Sequence, residues 1–147
     1  MVELRKITKE NYLECLGLSV ADEQKDFVTS NTYSLAQAWV FYNTAYPFAV
    51  YADETLVGFI MLGYLEKHNE YTVWRLMIDK KFQGKGYGKA ALKLGIEYLQ
   101  KEFGVSEICL SFVSGNKPAE AMYESLGFQR TGEVDGNEIA MSLKLTK

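Results

Sequence analysis

Between positions 83 and 89 the chain reads Gln83-Gly84-Lys85-Gly86-Tyr87-Gly88-Lys89. Three glycines alternate with other residues, and lysines stand at two positions. The segment follows an apolar stretch with strand character, Tyr71 to Asp79, and runs into a helical pattern. A helix N-terminus leaves about four backbone N–H groups without partners, and its aligned peptide dipoles add roughly half a positive charge. Glycine at Gly84, Gly86 and Gly88 removes the β-carbons that would keep an anion from those amides. The chemistry implied is a seat for phosphate, with Lys85 and Lys89 as positive charge at its rim. Dinucleotide-binding turns space their glycines differently, and the P-loop follows its lysine with Ser or Thr. Neither pattern is met here.

A second group of residues lies downstream. Asn116 precedes a short helical segment with Pro118 in its first turn, a usual cap arrangement. On that helix Tyr123 shares a face with Ala119 and Met122, which points it inward. Carboxylates that could serve as a base are scattered: Glu23, Asp26, Glu66, Glu70 and Asp79. His68 is the single histidine, and Cys15 and Cys109 are far apart. No zinc site is expected from that set. The apolar neighbours of both cysteines suit buried thiols in a reducing compartment, and neither is expected to act as a nucleophile.

The chain has 147 residues, enough for one domain, 1–147, around one core. Apolar residues at 48% and charged residues at 24% predict a folded globule. The net charge of −3 leaves no basic surplus of the kind nucleic-acid binding needs. No apolar run approaches the ~18 residues of a membrane span, and Met1 to Lys6 has no signal-peptide character. A cytoplasmic protein is expected.

The elements that must position these residues follow from periodicity. Val2 to Ile7 alternates as a strand, and Thr8 is the expected cap of a helix from Lys9 to Leu18. Ser34 is the expected cap of a second helix to about Asn43. Pro47–Ala52, Leu56–Leu65 and Tyr71–Asp79 read as a strand meander. Leu92, Ile96, Leu99 and Phe103 recur on one helical face, and Gly104 stops that helix. Ser106–Val113 is then a strand parallel to Tyr71–Asp79 through a right-handed crossover. Phe128–Val134 and Glu138–Leu145 flank a turn at Asp135-Gly136-Asn137 as a terminal hairpin. The fold class is α/β (α+β), a mixed sheet of about seven strands with helices on its faces.

At this point the chain resembles the GNAT family of N-acetyltransferases. The family's Gln/Arg-x-x-Gly-x-Gly/Ala signature is met by Gln83 to Gly88, and Ala121-Met122-Tyr123-Glu124-Ser125-Leu126-Gly127-Phe128 is similar to its A-x-x-x-Y-x-x-x-G-F segment. The resemblance is firm over about residues 50 to 145 and holds only in layout before that. It implies the GNAT fold, with strands 4 and 5 splayed around acetyl-CoA. The backbone of Leu76, Met77 and Ile78 would pair with the pantetheine arm. Residues Gln83, Gly84, Lys85, Gly86, Tyr87, Gly88 and Lys89 would hold the pyrophosphate, and Asn116 would bond the pantetheine. A backbone N–H at a bulge near Met77 would polarise the thioester carbonyl. Tyr123 would face the departing thiolate as general acid or hydrogen-bond donor.

The resemblance further implies an N-acetyltransferase acting by direct attack of a primary amine in a ternary complex. Such an amine is neutral in about one molecule in 2,500 at pH 7, at a cost near 4.6 kcal/mol. The chain is most similar to bacterial spermine/spermidine acetyltransferases, which points to a polyamine acceptor. Glu23 and Asp26, with Asp22 and nearby Tyr33, Trp39 and Tyr42, are expected to meet it, together with Glu66. Other acceptors stay open: an aminoglycoside, a peptide or protein amine, or an amino acid. A non-catalytic acetyl-CoA sensor and a homodimer built through C-terminal strands or sheet edges stay open too.

Overall fold

The computed structural model describes residues 1–145. Seven strands form one sheet: β1 (Val2–Lys6), β2 (Ala45–Ala52), β3 (Thr55–Leu65), β4 (Glu70–Ile78), β5 (Glu107–Val113), β6 (Gln129–Asp135) and β7 (Glu138–Lys144). Their spatial order is β1-β2-β3-β4-β5-β7-β6. β4 and β5 are parallel, and every other neighbouring pair is antiparallel. Four helices accompany the sheet: α1 (Tyr12–Leu16), α2 (Asn31–Val40), α3 (Tyr87–Phe103) and α4 (Lys117–Ser125). The mixed sheet with helices on both faces is the expected fold class.

Two cores result, one on each face. Val50, Val57, Ile60, Leu62 and Val73 pack with Leu92, Ile96 and Leu99 of α3 and Tyr123 of α4. On the opposite face Ala49, Phe59, Met61 and Met77 pack with Cys15 of α1 and Ala38 of α2. The alternation of β3 between these two sets explains its unbroken apolar run, which is what a strand covered on both faces needs. The second core stops at β4. Among the described residues this core takes in none of β5, β7 or β6, and β6 is exposed along its whole length. Among the described residues no helix is long and apolar enough to cross a membrane.

Two helix starts differ from the sequence expectation. The helix expected from Lys9 to Leu18 spans only Tyr12–Leu16. Thr8 spends its carbonyl on Asn11 N and Tyr12 N and its hydroxyl on Glu10 N, so residues 9–11 form a polar turn. The second helix is capped by Ser30, whose Oγ accepts from Tyr33 N at 3.2 Å, rather than by Ser34. Ser34 lies one turn further in, fully buried, with no partner for its hydroxyl. Two serines four residues apart offer the same local signal, and burial of Ser34 against the sheet selects the earlier one.

The C-terminal end of β4 is held at fixed points. The Asp79 carboxylate accepts from Ser19 N at 2.8 Å and from Lys81 N at 3.1 Å, tying the chain after α1 to the exit of the strand. Gly58 of β3 sits opposite Ile78, where an added β-carbon would lie 2.5 Å from the Met77 carbonyl oxygen and 2.6 Å from Ile78 Cδ1. Gly58→Ala should therefore cost about 1–3 kcal/mol through overpacking and lower the melting temperature by roughly 3–10 °C, measured by thermal unfolding. An unchanged melting temperature would mean that β3 and β4 are not pressed together there.

Candidate active site

β4 and β5 share a single ladder pair, Thr72 with Cys109. Beyond it the strands are not paired, and residues Val73 to Met77 of β4 and Ser111 to Val113 of β5 line a common space. β4 stays paired to β3 on its other edge, and β5 stays paired to β7 from Glu107 to Val113. The unpaired edge of β4 can be read from register. Asp79 N donates to Val57 O at 2.8 Å on the β3 side. Backbone groups alternate along a strand, so Met77 also faces β3, while Leu76 and Ile78 turn their N–H and C=O groups to the gap. The Ile78 carbonyl is already used, by Gln83 Nε2 at 2.9 Å.

A groove of about 320 Å³ runs from the gap to the glycine segment. Among the residues expected to meet the pyrophosphate, Gln83, Gly84, Gly86, Tyr87, Gly88 and Lys89 line it, and Lys85 does not. Gly84 and Gly86 adopt φ of +80° and +82°, a left-handed conformation that L side chains rarely take. Gly86 is the residue before α3, and no protein atom lies within 4 Å of a β-carbon placed on either glycine. The loop thus presents the open start of a 17-residue helix to the groove. Gln83 works inward: besides Ile78 O, its Nε2 donates to Gln24 Oε1 at 2.9 Å. It fastens the loop to the chain before α2.

The groove leads into a smaller chamber of about 150 Å³, the two sharing Phe27, Val28, Leu76, Met77, Asn116, Ala119 and Met122. Asn116 precedes α4 but makes no capping side-chain bond, so the cap role expected of it is absent and its side chain borders both spaces. Tyr123 enters the chamber from α4, 9% exposed, with Phe112 and Phe128 rings about it. Burial alone pushes its pKa up to about 12. Over the ordinary pH range it is a neutral hydroxyl that can donate.

The bulge in β4 lies three residues before Met77, where it was expected. Arg75 pairs with Met61 and Val73 with Leu62, so Trp74 is the extra residue. An extra residue breaks the alternation of side chains. Trp74 and Arg75 both fall on the α2 side, and both line the chamber. Arg75 Nη1 donates to Trp74 O at 2.9 Å and Nη2 to Gln37 Oε1 at 3.0 Å, while Nε has no partner. Burial lowers its pKa from the usual range, with Glu138 and Tyr33 acting in the opposite direction.

The carboxylates expected from sequence stand elsewhere. Glu23 and Asp26 are exposed, and neither lines the groove or the chamber; their neighbours Gln24, Phe27 and Val28 do. Asp22 is paired with Lys25 at 3.0 Å. Glu66 follows the end of β3, and Glu70 begins β4 opposite Leu65. Both therefore lie at the far end of the strand from the glycine segment, roughly 25 Å away at strand rise. Asp79 is buried, its two oxygens taken by backbone N–H groups. Trp39 and Tyr42, near the end of α2 and just past it, are well exposed; Tyr33 is exposed too but lies near enough to Arg75 to act on its charge. Sequence reasoning missed Gln24, Phe27, Arg75 and Glu138 as site residues. Only Arg75 carried a signal, as a charge inside an apolar strand.

The profile of the acetyltransferase (GNAT) family matches residues 3–128. The chain is 33% identical over 144 residues to a probable spermine N(1)-acetyltransferase of Bacillus subtilis subsp. natto (strain BEST195), covering 92% of this chain and 93% of that protein. It is equally similar, over the same shares, to the spermine/spermidine N(1)-acetyltransferase of Bacillus subtilis (strain 168). Among solved structures it superposes on a spermidine N-acetyltransferase from Vibrio cholerae in complex with CoA and spermine, with TM-score 0.77, 19% identity and coverage of 97% and 95%. The chain belongs to the GNAT family: it is an N-acetyltransferase with this family's fold, and acetyl-CoA is its acetyl donor.

The groove fits that donor. Gly84 and Gly86 leave open space in front of the helix start, where a phosphate needs it. Gly86→Ala puts a methyl group into that space and strains a left-handed residue by about 1–2 kcal/mol. The expected result is an acetyl-CoA Kd raised by about tenfold or more, measured by titration calorimetry, with a melting temperature only a few degrees lower. An unchanged Kd would show that the phosphates do not sit on this loop.

Proposed function

We propose that the protein acetylates a primary amine of a polyamine such as spermine or spermidine, by direct attack on acetyl-CoA within a ternary complex. The observation that carries the direct-attack reading is the gap between β4 and β5. It opens the sheet from the α3–α4 face, where the glycine loop lies, to the α2 face, where the chamber is lined by Phe27, Trp74 and Arg75. The polyamine acceptor is supported by the two relatives that are 33% identical over almost the whole chain.

In this reading the amides from Gly84 to Lys89 hold the pyrophosphate, and Leu76 pairs its free backbone groups with the pantetheine arm. Asn116 bonds the same arm. Tyr123 meets the leaving sulfur. A free thiol such as that of cysteine has a pKa near 8.5, and Tyr123 at about 12 lies far above that range, so full proton transfer from the phenol to the leaving thiolate is uphill. Tyr123 instead donates a hydrogen bond that strengthens as charge builds on sulfur. Neither cysteine takes an acyl group: burial pushes the Cys15 thiol up to about 11 and Cys109 up to about 12. Both are free thiols, which supports a cytoplasmic setting.

Arg75 favours a second reading. A guanidinium in the chamber with no carboxylate bonded to it would suit an acceptor carrying a carboxylate beside its amine, such as an amino acid. A panel of spermine, spermidine, a lysine peptide, an amino acid and an aminoglycoside, followed by release of free CoA thiol, separates the two. Polyamines should turn over with the highest kcat/KM. Tyr123→Phe should lower kcat by about 10²-fold with acetyl-CoA binding retained, and the wild-type rate should show no fall below about pH 10 from loss of the Tyr123 proton. A Tyr123→Phe enzyme of full activity would remove that residue from the mechanism.

The exposed edge strand β6 supports pairing with a second copy, because an uncovered edge invites strand addition. Sedimentation equilibrium should return a dimer mass. A monomer at all concentrations would discard that pairing.

A further inference from the structure

The chamber that holds Tyr123 is lined by one carboxylate, Glu138. This residue opens β7 opposite Val113, at the C-terminal end of β5, beyond its single pair with β4. Side chains alternate along a strand. Ile139, Met141 and Leu143 pack into the core beneath α3 and α4, so Glu138, Ala140 and Ser142 face the other way. Tyr123 reaches the gap from the α4 side. Glu138 therefore stands on the opposite face of the sheet, beside the gap, with the reacting space between them.

Glu138 is also free. It is exposed, and among the described residues it makes no ion pair and no side-chain hydrogen bond. Arg75 is near enough to feel its charge, yet the guanidinium bonds Trp74 O and Gln37 Oε1 instead. The other carboxylates are excluded by position, or in the case of Asp79 by its two backbone bonds. Beyond Glu138 the same face continues as a trough that runs over β5, β7 and β6 toward the turn that joins β3 and β4. It is bordered by Glu70, Glu107, Glu133 and Asp135, and no lysine or arginine is among its described walls. Cys109 lies there, and after burial the negative charges of Glu70 and Glu107 are what oppose its ionisation.

We propose that Glu138 is the acceptor-binding carboxylate: it pairs with the cationic amine as it arrives at the chamber mouth and holds it on the face of the sheet opposite Tyr123, and the attacking nitrogen gives its proton to solvent before it reaches the thioester. The role is binding and selection of a cationic acceptor, with no bond made to Glu138. A second or third ammonium group on the same molecule then extends along the carboxylate-lined trough, away from Arg75. The inference rests on the amine-acceptor reading above and deepens it.

The test is steady-state kinetics of Glu138→Gln, which keeps the shape and removes the charge. With spermidine as acceptor, KM for the amine should rise about tenfold, while kcat, KM for acetyl-CoA and the melting temperature stay within about twofold or a few degrees. Glu138→Asp should recover part of the loss, and the gap between wild type and Glu138→Gln should narrow as salt is raised. An unchanged amine KM in Glu138→Gln, on a wild-type enzyme that acetylates spermidine, overturns the role of Glu138 and leaves the polyamine reading standing. If the wild type instead acetylates another cationic amine from the panel, the polyamine reading falls and Glu138 is judged by the same tenfold criterion on that amine. A wild type that acetylates no cationic amine overturns both.

Discussion

The site depends on two parallel strands that meet once and then separate. A buried strand edge without partners is costly, since each unpaired N–H or C=O loses its hydrogen bond to water without replacement. Here the cost is contained because β4 and β5 are each held along their outer edges, by β3 and by β7. Neither strand relies on the other for its place. The side chain of Gln83 caps the Ile78 carbonyl, so part of the exposed edge is satisfied by the loop that follows it. What remains open is the Ile78 N–H and both backbone groups of Leu76, the latter at the level where groove and chamber join.

The gap also divides the chemistry between two faces. On one face the first core is closed by α3 and α4, which bring the glycine loop and Tyr123. On the other, the second core under α1 and α2 ends at β4 and, among the described residues, takes in none of β5 or β7. The positive end of a helix lies on the first side, and carboxylates collect on the second. In the proposed reaction an anionic donor and a cationic acceptor are drawn to different faces of one sheet and meet where it is open between them.

A single extra residue tunes that meeting point. Without the bulge at Trp74, strict alternation would send either Trp74 or Arg75 into the α3-side core. With it, both face α2, and Arg75 is fixed by its own neighbour's carbonyl and by Gln37. Asp79 does related work a few residues on: one oxygen anchors Ser19, between α1 and α2, to the strand end, and the other holds the turn at Lys81. Two charged residues of the β4 region thus serve the shape of the site, and the carboxylate proposed for the acceptor comes from β7.

The amino-acid sequence determined the class of protein because its chemistry there is local. The glycines, the helix start that follows them and Tyr123 with its segment are contiguous, and strand, loop and helix periods are written in the side chains themselves. The sheet composition and the crossover between β4 and β5 follow from the same periods. What only the tertiary structure decided are relations between segments distant in the chain. Gln24 meets Gln83, and Ser19 meets Asp79, across about sixty positions. Ser30 rather than Ser34 starts α2 because packing buries the second serine. The acidic residues chosen from sequence, Glu23, Asp26 and Glu66, share only a charge with the one that lines the chamber. Glu138 arrives there through the register of β7 against β5, and no local pattern around a hairpin residue records which strand end it will face.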